Sequence, residues 1–167
     1  MMRVLLDTNV VLDALLERAP WVAEARAIWE AHLAYRIAAH ITATSLTDIF
    51  YVSRRSVGRV RAWLGIGACL DQLYILPVGL PLLQSAARFG DGDFEDHLQI
   101  VSAVAAGLDA IVTRDPKGFA GSPIPVLSPV ELLARLPKDG PGGADGTRAS
   151  SGDAGGPAVQ PGTGQGP

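Results

Sequence analysis

The stretch "VLLDTNVVLDALL", residues 4–16, decides the fold and raises the question of function. Its apolar run is followed at once by Asp7, at the point where a buried strand is expected to end. An ionised carboxylate buried alone is costly, so it is normally hydrogen-bonded, bound to a cation or protonated. Asp7 therefore needs a partner, which the rest of the sequence should supply.

Composition limits what that partner can be. A chain of 167 residues with 48% hydrophobic and 19% charged residues reads as one domain of ordinary core size. The net charge of -3 argues against a bulk polyanion binder of the histone kind, although it allows a local basic patch. The single cysteine, Cys69, excludes an intramolecular disulfide and a cysteine zinc cluster. Together with the lack of a convincing targeting or membrane segment, this favours a cytoplasmic location.

A change of composition near Pro137 predicts the domain boundary. Residues 138–167 are rich in Gly, Pro, Ser and Ala, and Val159 is their only branched apolar residue. Such a segment buries too little apolar surface to offset the entropy of ordering it. We therefore expect a domain over residues 1–137 and a disordered tail over residues 138–167, with a partner-binding segment as the alternative for the tail.

The domain alternates apolar runs with helical patterns. The predicted strands are residues 3–6, 35–41, 73–78, 110–113 and 124–128. The predicted helices are residues 9–16, 21–33, 45–54, 59–70, 80–89, 94–106 and 129–136. Strands that alternate with helices, and that are apolar almost throughout, predict an α/β fold in which a central parallel sheet is covered on both faces.

A second carboxylate follows another predicted strand. In "AIVTRD", residues 110–115, the strand leads through Thr113 and Arg114 to Asp115. Ligands of open parallel sheets bind at the carboxyl ends of the strands. If both strands lie near the centre of the sheet, Asp7 and Asp115 meet at that edge. The alternative makes Asp115 a turn or capping residue ahead of Pro116.

Helical spacing predicts which acids of "GDFEDHLQIVSAVAAG", residues 92–107, face the protein. Asp96 heads an apolar or small stripe with Ile100 and Ala103, so it should point inward. Glu95 shares a polar stripe with Gln99 and should face water. Asp93 as N-cap, with Asp96 three positions on, is the alternative explanation for this pair of acids.

Asp48 is the fourth acid of interest. In "ITATSLTDIFYVSRR", residues 41–55, it stands among aromatic and branched neighbours, although a solvent-facing aspartate is also possible. Four carboxylates brought together repel one another unless protonation or a cation relieves them. Oxygen-only ligands select Mg²⁺ or Mn²⁺ over zinc. A metal shared by the acids answers the opening question, and the set comprises Asp7, Asp48, Asp96 and Asp115.

These motifs together resemble the PIN-domain ribonucleases, which include the toxins of bacterial VapBC toxin-antitoxin pairs. The resemblance runs from "VLLDTNVVLDALL" through "FEDHLQ" and "IVTRD" to "SPIPVLSPVELLARL". It implies a PIN-like α/β/α sandwich whose acidic catalytic and metal-binding site falls on Asp7, Asp48, Asp96 and Asp115. It also implies that Asn9 and Thr113 orient these acids. Position 48 departs from the family, where glutamate is usual.

The resemblance implies metal-assisted hydrolysis of RNA phosphodiester bonds. Bound Mg²⁺ or Mn²⁺ would activate a water and neutralise charge on the leaving oxygen. The implied partners are an RNA substrate, a cognate antitoxin protein and a second copy of the chain in a homodimer. The basic stretch "SRRSVGRVR", residues 53–61, offers a backbone-binding surface, unless its arginines are simply solvated or paired. Its arginines are Arg54, Arg55, Arg59 and Arg61.

Two other functions stay open on the sequence. A phosphatase of the haloacid dehalogenase type also begins with an aspartate after its first strand, but it needs a second aspartate where this chain has Asn9. A non-catalytic PIN module that binds RNA or protein would keep the fold. The substitution at Asp48 favours such a module, whereas the retention of four acids argues against it.

Overall fold

A computed structural model describes residues 1–137, so the predicted tail lies outside the described residues. The predicted parallel sheet is confirmed, and its strand order is β3-β2-β1-β4-β5. Every neighbouring pair of strands is parallel. The strands are β1 (Met2–Leu6), β2 (Ile37–Thr42), β3 (Tyr74–Leu76), β4 (Ala110–Val112) and β5 (Val126–Leu127).

All the predicted helices are present within residues 1–137. They are α1 (Thr8–Leu15), α2 (Val22–Leu33), α3 (Ser45–Val57), α4 (Arg59–Gln72), α5 (Leu80–Ala87), α6 (Phe94–Ala105) and α7 (Pro129–Arg135). Gly58, with φ of 85°, separates α3 from α4 in a backbone conformation that favours glycine. A short 3₁₀ helix, Pro116–Phe119, follows β4 and was not expected.

Alternate residues of β1 face opposite layers of the molecule, as the two-residue repeat of a strand requires. Val4 and Leu6 belong to the core formed with α1, α2, α3 and α4. Leu5 packs on the other face with Ile100 of α6 and Phe119 of the 3₁₀ helix. Both faces of the sheet are therefore covered by helices, which confirms the α/β/α sandwich.

The central place of β1 positions the candidate site. It lies between β2 and β4, and Leu6 pairs with Val112 in the last register position of β4. The Asp7 amide then donates to the Val112 carbonyl at 2.9 Å, which carries the pairing one residue past β1. Asp7 and Thr113 consequently leave adjacent strands side by side, at the carboxyl edge where ligands of parallel sheets bind.

Across residues 1–137, no helix combines the length and the apolar character that crossing a membrane would require.

Candidate active site

Asp7 occupies the N-cap position of α1, yet its side chain does not cap the helix. Its Oδ2 instead accepts hydrogen bonds from Thr113 Oγ1 at 2.6 Å and from Asn9 Nδ2 at 2.5 Å. Its Oδ1 accepts from Gln99 Nε2 at 3.3 Å. Burial raises the pKa of Asp7, and these hydrogen bonds partly oppose the rise. Asn9 and Thr113, for which the resemblance implied an orienting role, both donate to this carboxylate.

The amino end of α6 brings Asp96 to the same edge. Asp93 caps this helix, since its side chain accepts from the amides of Glu95 at 2.7 Å and Asp96 at 3.4 Å. Asp96 is half-buried, and burial raises its pKa to about 6. The carboxylates of Asp7, Asp93, Glu95 and Asp115 add to that rise, in this order.

The 3₁₀ helix packs closely against the side chain of Asp96. Gly118 lies so close to the Asp96 carboxyl group that a Cβ atom at position 118 would overlap it, with its Cγ only 2.7 Å away. Any side chain at position 118 would therefore have to push the Asp96 carboxylate aside. The unexpected 3₁₀ helix has a direct part in placing a candidate site residue.

The prediction that Glu95 faces water is wrong. Glu95 is half-buried, and its Oε1 accepts from Thr8 Oγ1 at 2.5 Å and from Gln99 Nε2 at 3.1 Å. Burial raises its pKa, with further contributions from the Asp48 and Asp7 carboxylates. The polar stripe of α6 faces a buried polar centre, as shown by Gln99, which is 1% exposed. Polar residues on a helix face indicate solvent only when no polar site lies beneath them.

Asp115 caps a helix and also lies at the same edge as Asp7, so both placements that the sequence allowed occur together. It is the N-cap of the 3₁₀ helix, where its Oδ1 accepts from the Lys117 amide at 3.4 Å. Its own amide donates to Thr113 Oγ1 at 3.0 Å. Thr113 thus links the ends of β1 and β4, because the same hydroxyl group donates to Asp7. The cap fixes the Asp115 side chain beside the other acids.

These groups line one open cavity of about 240 Å³ at the carboxyl edge of the sheet. Three of the four predicted acids line it, namely Asp7, Asp96 and Asp115. Two further acids line it as well: Asp93, which the sequence suggested as a helix cap, and Glu95, which was predicted to face water. The lining residues are Asp7, Thr8, Asn9, Leu12, Asp93, Glu95, Asp96, Asp115 and Phe119. We call this the acidic cavity.

Asp48 lies near the acidic cavity without lining it. It is exposed in the first turn of α3, where burial and then the Asp93 carboxylate raise its pKa. The predicted basic stretch is also exposed, and it lies at the junction of α3 and α4 rather than in the acidic cavity. This placement applies to Arg54, Arg55, Arg59 and Arg61.

The donor set of the acidic cavity fits a hard divalent cation, because it consists of carboxylates and an amide oxygen. The buried Asn9 Oδ1 has no hydrogen-bond partner within residues 1–137, so an acceptor stands free beside Asp7. Within residues 1–137, no group of three or more acidic, histidine or cysteine side chains converges closely enough to form a metal site by itself. Mg²⁺ usually takes one or two carboxylates and completes its shell with water and phosphate oxygens.

A second cavity adjoins the first and was missed by sequence reasoning. It measures about 350 Å³ and is lined by Asn9, Trp21, Arg114 and Asp115. Asn9 and Asp115 line both cavities. No spacing rule relates Trp21 to Arg114, so only the fold reveals that they meet.

Comparison with known proteins gives the family. No curated protein sequence matches, but residues 3–117 match the PIN domain. VapC20 of Mycobacterium tuberculosis, a toxin that cleaves the sarcin-ricin loop, superposes with a TM-score of 0.61 at 12% identity, over 71% of this chain and 94% of that chain.

Two further structures superpose at similar quality. DNA-bound VapBC of Salmonella typhimurium gives a TM-score of 0.60 at 19% identity, over 77% of this chain and 99% of that chain. A toxin-antitoxin complex of Klebsiella pneumoniae gives 0.56 at 20% identity, over 75% and 97%. At such identities the likeness concerns the fold, whereas the sequence match extends over more than half of the chain. With the acids gathered at the carboxyl edge of its sheet, the chain belongs to the PIN domain family.

Proposed function

We propose that this protein is a metal-dependent ribonuclease that hydrolyses RNA phosphodiester bonds, and that it acts as the toxin of a toxin-antitoxin pair. The observation that carries the proposal is the meeting of Asp7, Asp96 and Asp115 in one open cavity. Burial first, and then repulsion from Asp7 and the other carboxylates, raises the pKa of Asp96, and a bound cation would offset both effects.

Mg²⁺ or Mn²⁺ would be held by Asp7, Asp96 and Asp115. When bound, the cation would acidify a coordinated water and neutralise charge on the phosphate. We propose that Asp48, at the rim, completes the set. Glu95 joins the candidates, because its carboxylate shares the Gln99 amide with Asp7.

The surrounding residues keep the carboxylates in place. Thr113, Asn9 and Gln99 hold the Asp7 carboxylate with uncharged hydrogen bonds, so its negative charge stays available. Residues that hydrogen-bond to metal ligands orient them, and their replacement commonly lowers metal affinity by about 10- to 100-fold. We further propose that the exposed arginines at positions 54, 55, 59 and 61 contact the RNA backbone outside the acidic cavity.

An antitoxin and a second copy of the chain are the proposed protein partners. The exposed apolar face at the start of α4 supports this part of the proposal, since Val60, Trp63 and Leu64 are 74%, 60% and 68% exposed. Large exposed apolar side chains grouped on one face are typical of protein interaction surfaces. The Klebsiella pneumoniae relative was crystallised as a toxin-antitoxin complex.

Cleavage of RNA by the purified full chain tests the proposal. We expect Mg²⁺ or Mn²⁺ to support cleavage that leaves 5′-phosphate and 3′-hydroxyl ends, and EDTA to abolish it. Asp7→Asn keeps the shape of the side chain and should lower the rate by about 100-fold or more. Glu30→Gln, on the exposed face of α2, is the matched control and should change nothing.

Two results would decide against the proposal. If Asp7→Asn and Glu30→Gln cleave equally well, the activity comes from another site or from a contaminant. If the wild type binds RNA without metal-dependent cleavage, and Asp48→Glu switches cleavage on, the chain is a binding module in which position 48 disabled the site.

A further inference from the structure

The cavity beside the acidic cavity is built around a stacked pair of side chains. The Arg114 guanidinium carbon lies 3.9 Å from the centroid of the Trp21 ring, within the range of a cation–π contact. Trp21 nevertheless remains 41% exposed to solvent. Arg114 is the second residue after β4, and its neighbour Asp115 lines both cavities.

A buried acid fixes Arg114 in this position. Arg114 Nε lies 3.1 Å from Asp13 Oδ2, and the Asp13 side chain is only 2% exposed. Arg18 approaches the other oxygen, Oδ1, at 3.9 Å. Desolvation raises the pKa of Asp13, while Arg114 and then Arg18 oppose the rise. Arg114 is thus held by its ion pair with Asp13 and by the Trp21 ring, while none of its guanidinium nitrogens makes a hydrogen bond to another residue of the described chain.

We propose that Trp21 and Arg114 form a nucleotide subsite, in which a base stacks on the Trp21 ring and Arg114 contacts the adjoining phosphate. This deepens the proposed function and rests on it, since the subsite would hold the nucleotide next to the scissile bond. Aromatic rings and guanidinium planes are the surfaces on which unpaired bases stack. An arginine provides N–H donors in a fork that matches phosphate oxygens.

The position and charge of the pair favour single-stranded RNA as the ligand. The acidic cavity repels phosphate, so a fixed cation at its border offsets that repulsion where the strand enters. A stacked base must be unpaired, which excludes a continuous duplex at this point. The shared walls at Asn9 and Asp115 place the subsite directly beside the proposed site of hydrolysis.

Binding measured without catalysis tests the subsite. The probe is a short fluorescein-labelled single-stranded oligoribonucleotide in EDTA, and fluorescence anisotropy of the full chain gives Kd. Trp21→Ala should raise Kd by about 5- to 100-fold, the range that corresponds to stacking of one base. Trp21→Phe keeps an aromatic ring and should recover most of the affinity. Tyr35→Ala removes a 79% exposed aromatic ring just before β2, at the opposite edge of the sheet, and should leave Kd unchanged.

An abasic strand separates stacking from indirect effects. The same sugar-phosphate chain without bases should bind wild type and Trp21→Ala equally. If Trp21→Ala weakens binding of the abasic strand as much as binding of the RNA, the residue acts through the fold and the proposal is wrong. Equal affinity of Trp21→Ala and Tyr35→Ala for the RNA would overturn it too, as would a wild type that does not bind.

Salt dependence tests the phosphate contact of Arg114. The paired variant Asp13→Asn/Arg114→Gln removes both charges together, so that no buried charge is left alone. Its plot of log Kd against log salt should be shallower by about 0.7 than that of the wild type, as expected for one lost phosphate contact to a single strand. An unchanged slope would contradict the assignment.

Cleavage assays distinguish failure of the subsite from failure of the proposed function. Metal-dependent cleavage with equal kcat/KM in wild type and Trp21→Ala would leave the nuclease proposal standing and remove the subsite. Binding that depends on Trp21, without any cleavage, would support the subsite and contradict the nuclease proposal.

Discussion

Two buried aspartates, Asp7 at the N-cap of α1 and Asp13 within it, differ in how their negative charge is balanced. Asp13, 1% exposed, faces the guanidinium groups of Arg114 and Arg18, so its charge is balanced within the protein. Asp7, 6% exposed, is held only by uncharged donors in the described chain. Uncharged hydrogen bonds favour the ionised form of a carboxylate without cancelling its charge. Asp7 is therefore left with an unbalanced charge that faces the acidic cavity.

Replacement of Glu95 tests whether this residue belongs to the site. Glu95→Gln keeps an oxygen that can accept from Thr8 but removes one negative charge from the acidic cavity. We expect a loss of Mn²⁺ affinity of about 10-fold, with a parallel loss of cleavage at limiting metal. Titration calorimetry of the full chain with Mn²⁺ measures the affinity. Affinity equal to that of Glu30→Gln would show that Glu95 is a bystander.

A methyl group at position 118 tests the placement of Asp96. Gly118→Ala would put a Cβ into the space of the Asp96 carboxyl group, so we expect Mn²⁺ affinity and cleavage to fall sharply. Gly67→Ala is the matched control, because nothing lies within 4 Å of its Cβ position on α4. That control should gain about 0.5–1 kcal/mol of stability from helix propensity. Unchanged Mn²⁺ affinity in Gly118→Ala would mean that Asp96 moves aside without cost.

At the scale of elements, α6 shows what spacing can and cannot predict. The inward direction of Asp96 was correct, because Ile100 and Ala103 on its stripe are 1% and 0% exposed. The prediction for the neighbouring stripe, Glu95 and Gln99, was wrong, because Gln99 donates to two carboxylates in the interior and does not face water. Periodicity reports which residues share a face, whereas the polarity of what that face meets depends on other elements.

The crowding of acids at the amino end of α6 predicts a dependence of stability on pH. The pKa of Asp96 is about 6 in the folded chain, above the ordinary aspartate value of about 3.9. Between these values the folded protein binds more protons than the unfolded one. The free energy of unfolding of the metal-free protein should therefore fall as pH rises through this window and level off above it.

Urea unfolding in EDTA at a series of pH values measures this dependence. Asp96→Asn cannot titrate at position 96, so its stability should change less over the same window. Asp109→Asn is not a suitable control, because Asp109 accepts from the Arg3 amide. Asp71→Asn, exposed near the end of α4, is the better one and should follow the wild type. A wild type whose stability rises through the window would contradict the pKa assigned to Asp96.

At the scale of the whole molecule, the acidic cavity joins α1, α6 and the 3₁₀ helix at the carboxyl edge of the sheet. A cation that binds only this assembled arrangement should stabilise the fold by about 2.7 kcal/mol at 100 times its Kd. Thermal melts with Mn²⁺ and with EDTA measure the effect. Asp7→Asn should lose most of the shift, because it removes one of the charges that would hold the cation. A wild type that melts identically with and without millimolar Mn²⁺ would argue against a metal site.

The sheet was predictable from the sequence to a greater extent than the cavities. Continuous apolar strands between helical segments indicated a parallel sheet, and the strand-end positions of Asp7 and Asp115 indicated its ligand-binding edge. The strand order places β1 beside β4. From the sequence alone, the central position of these two strands could only be assumed. The close approach of Gly118 to Asp96 and the stacking of Arg114 on Trp21 depend on tertiary packing, which no local sequence pattern encodes.

The pairing of β1 with β4 also bears on how the protein is made. Asp7 and the Thr113 hydroxyl that holds it are 106 residues apart, so the contact is among the most non-local of the domain. During synthesis the amino-terminal part emerges first. A growing chain that ends after α5 already contains Asp7 and Asn9 but lacks Asp96, Thr113 and Asp115. The acidic cavity thus closes only when translation of the domain is nearly finished, and unfinished chains cannot assemble it.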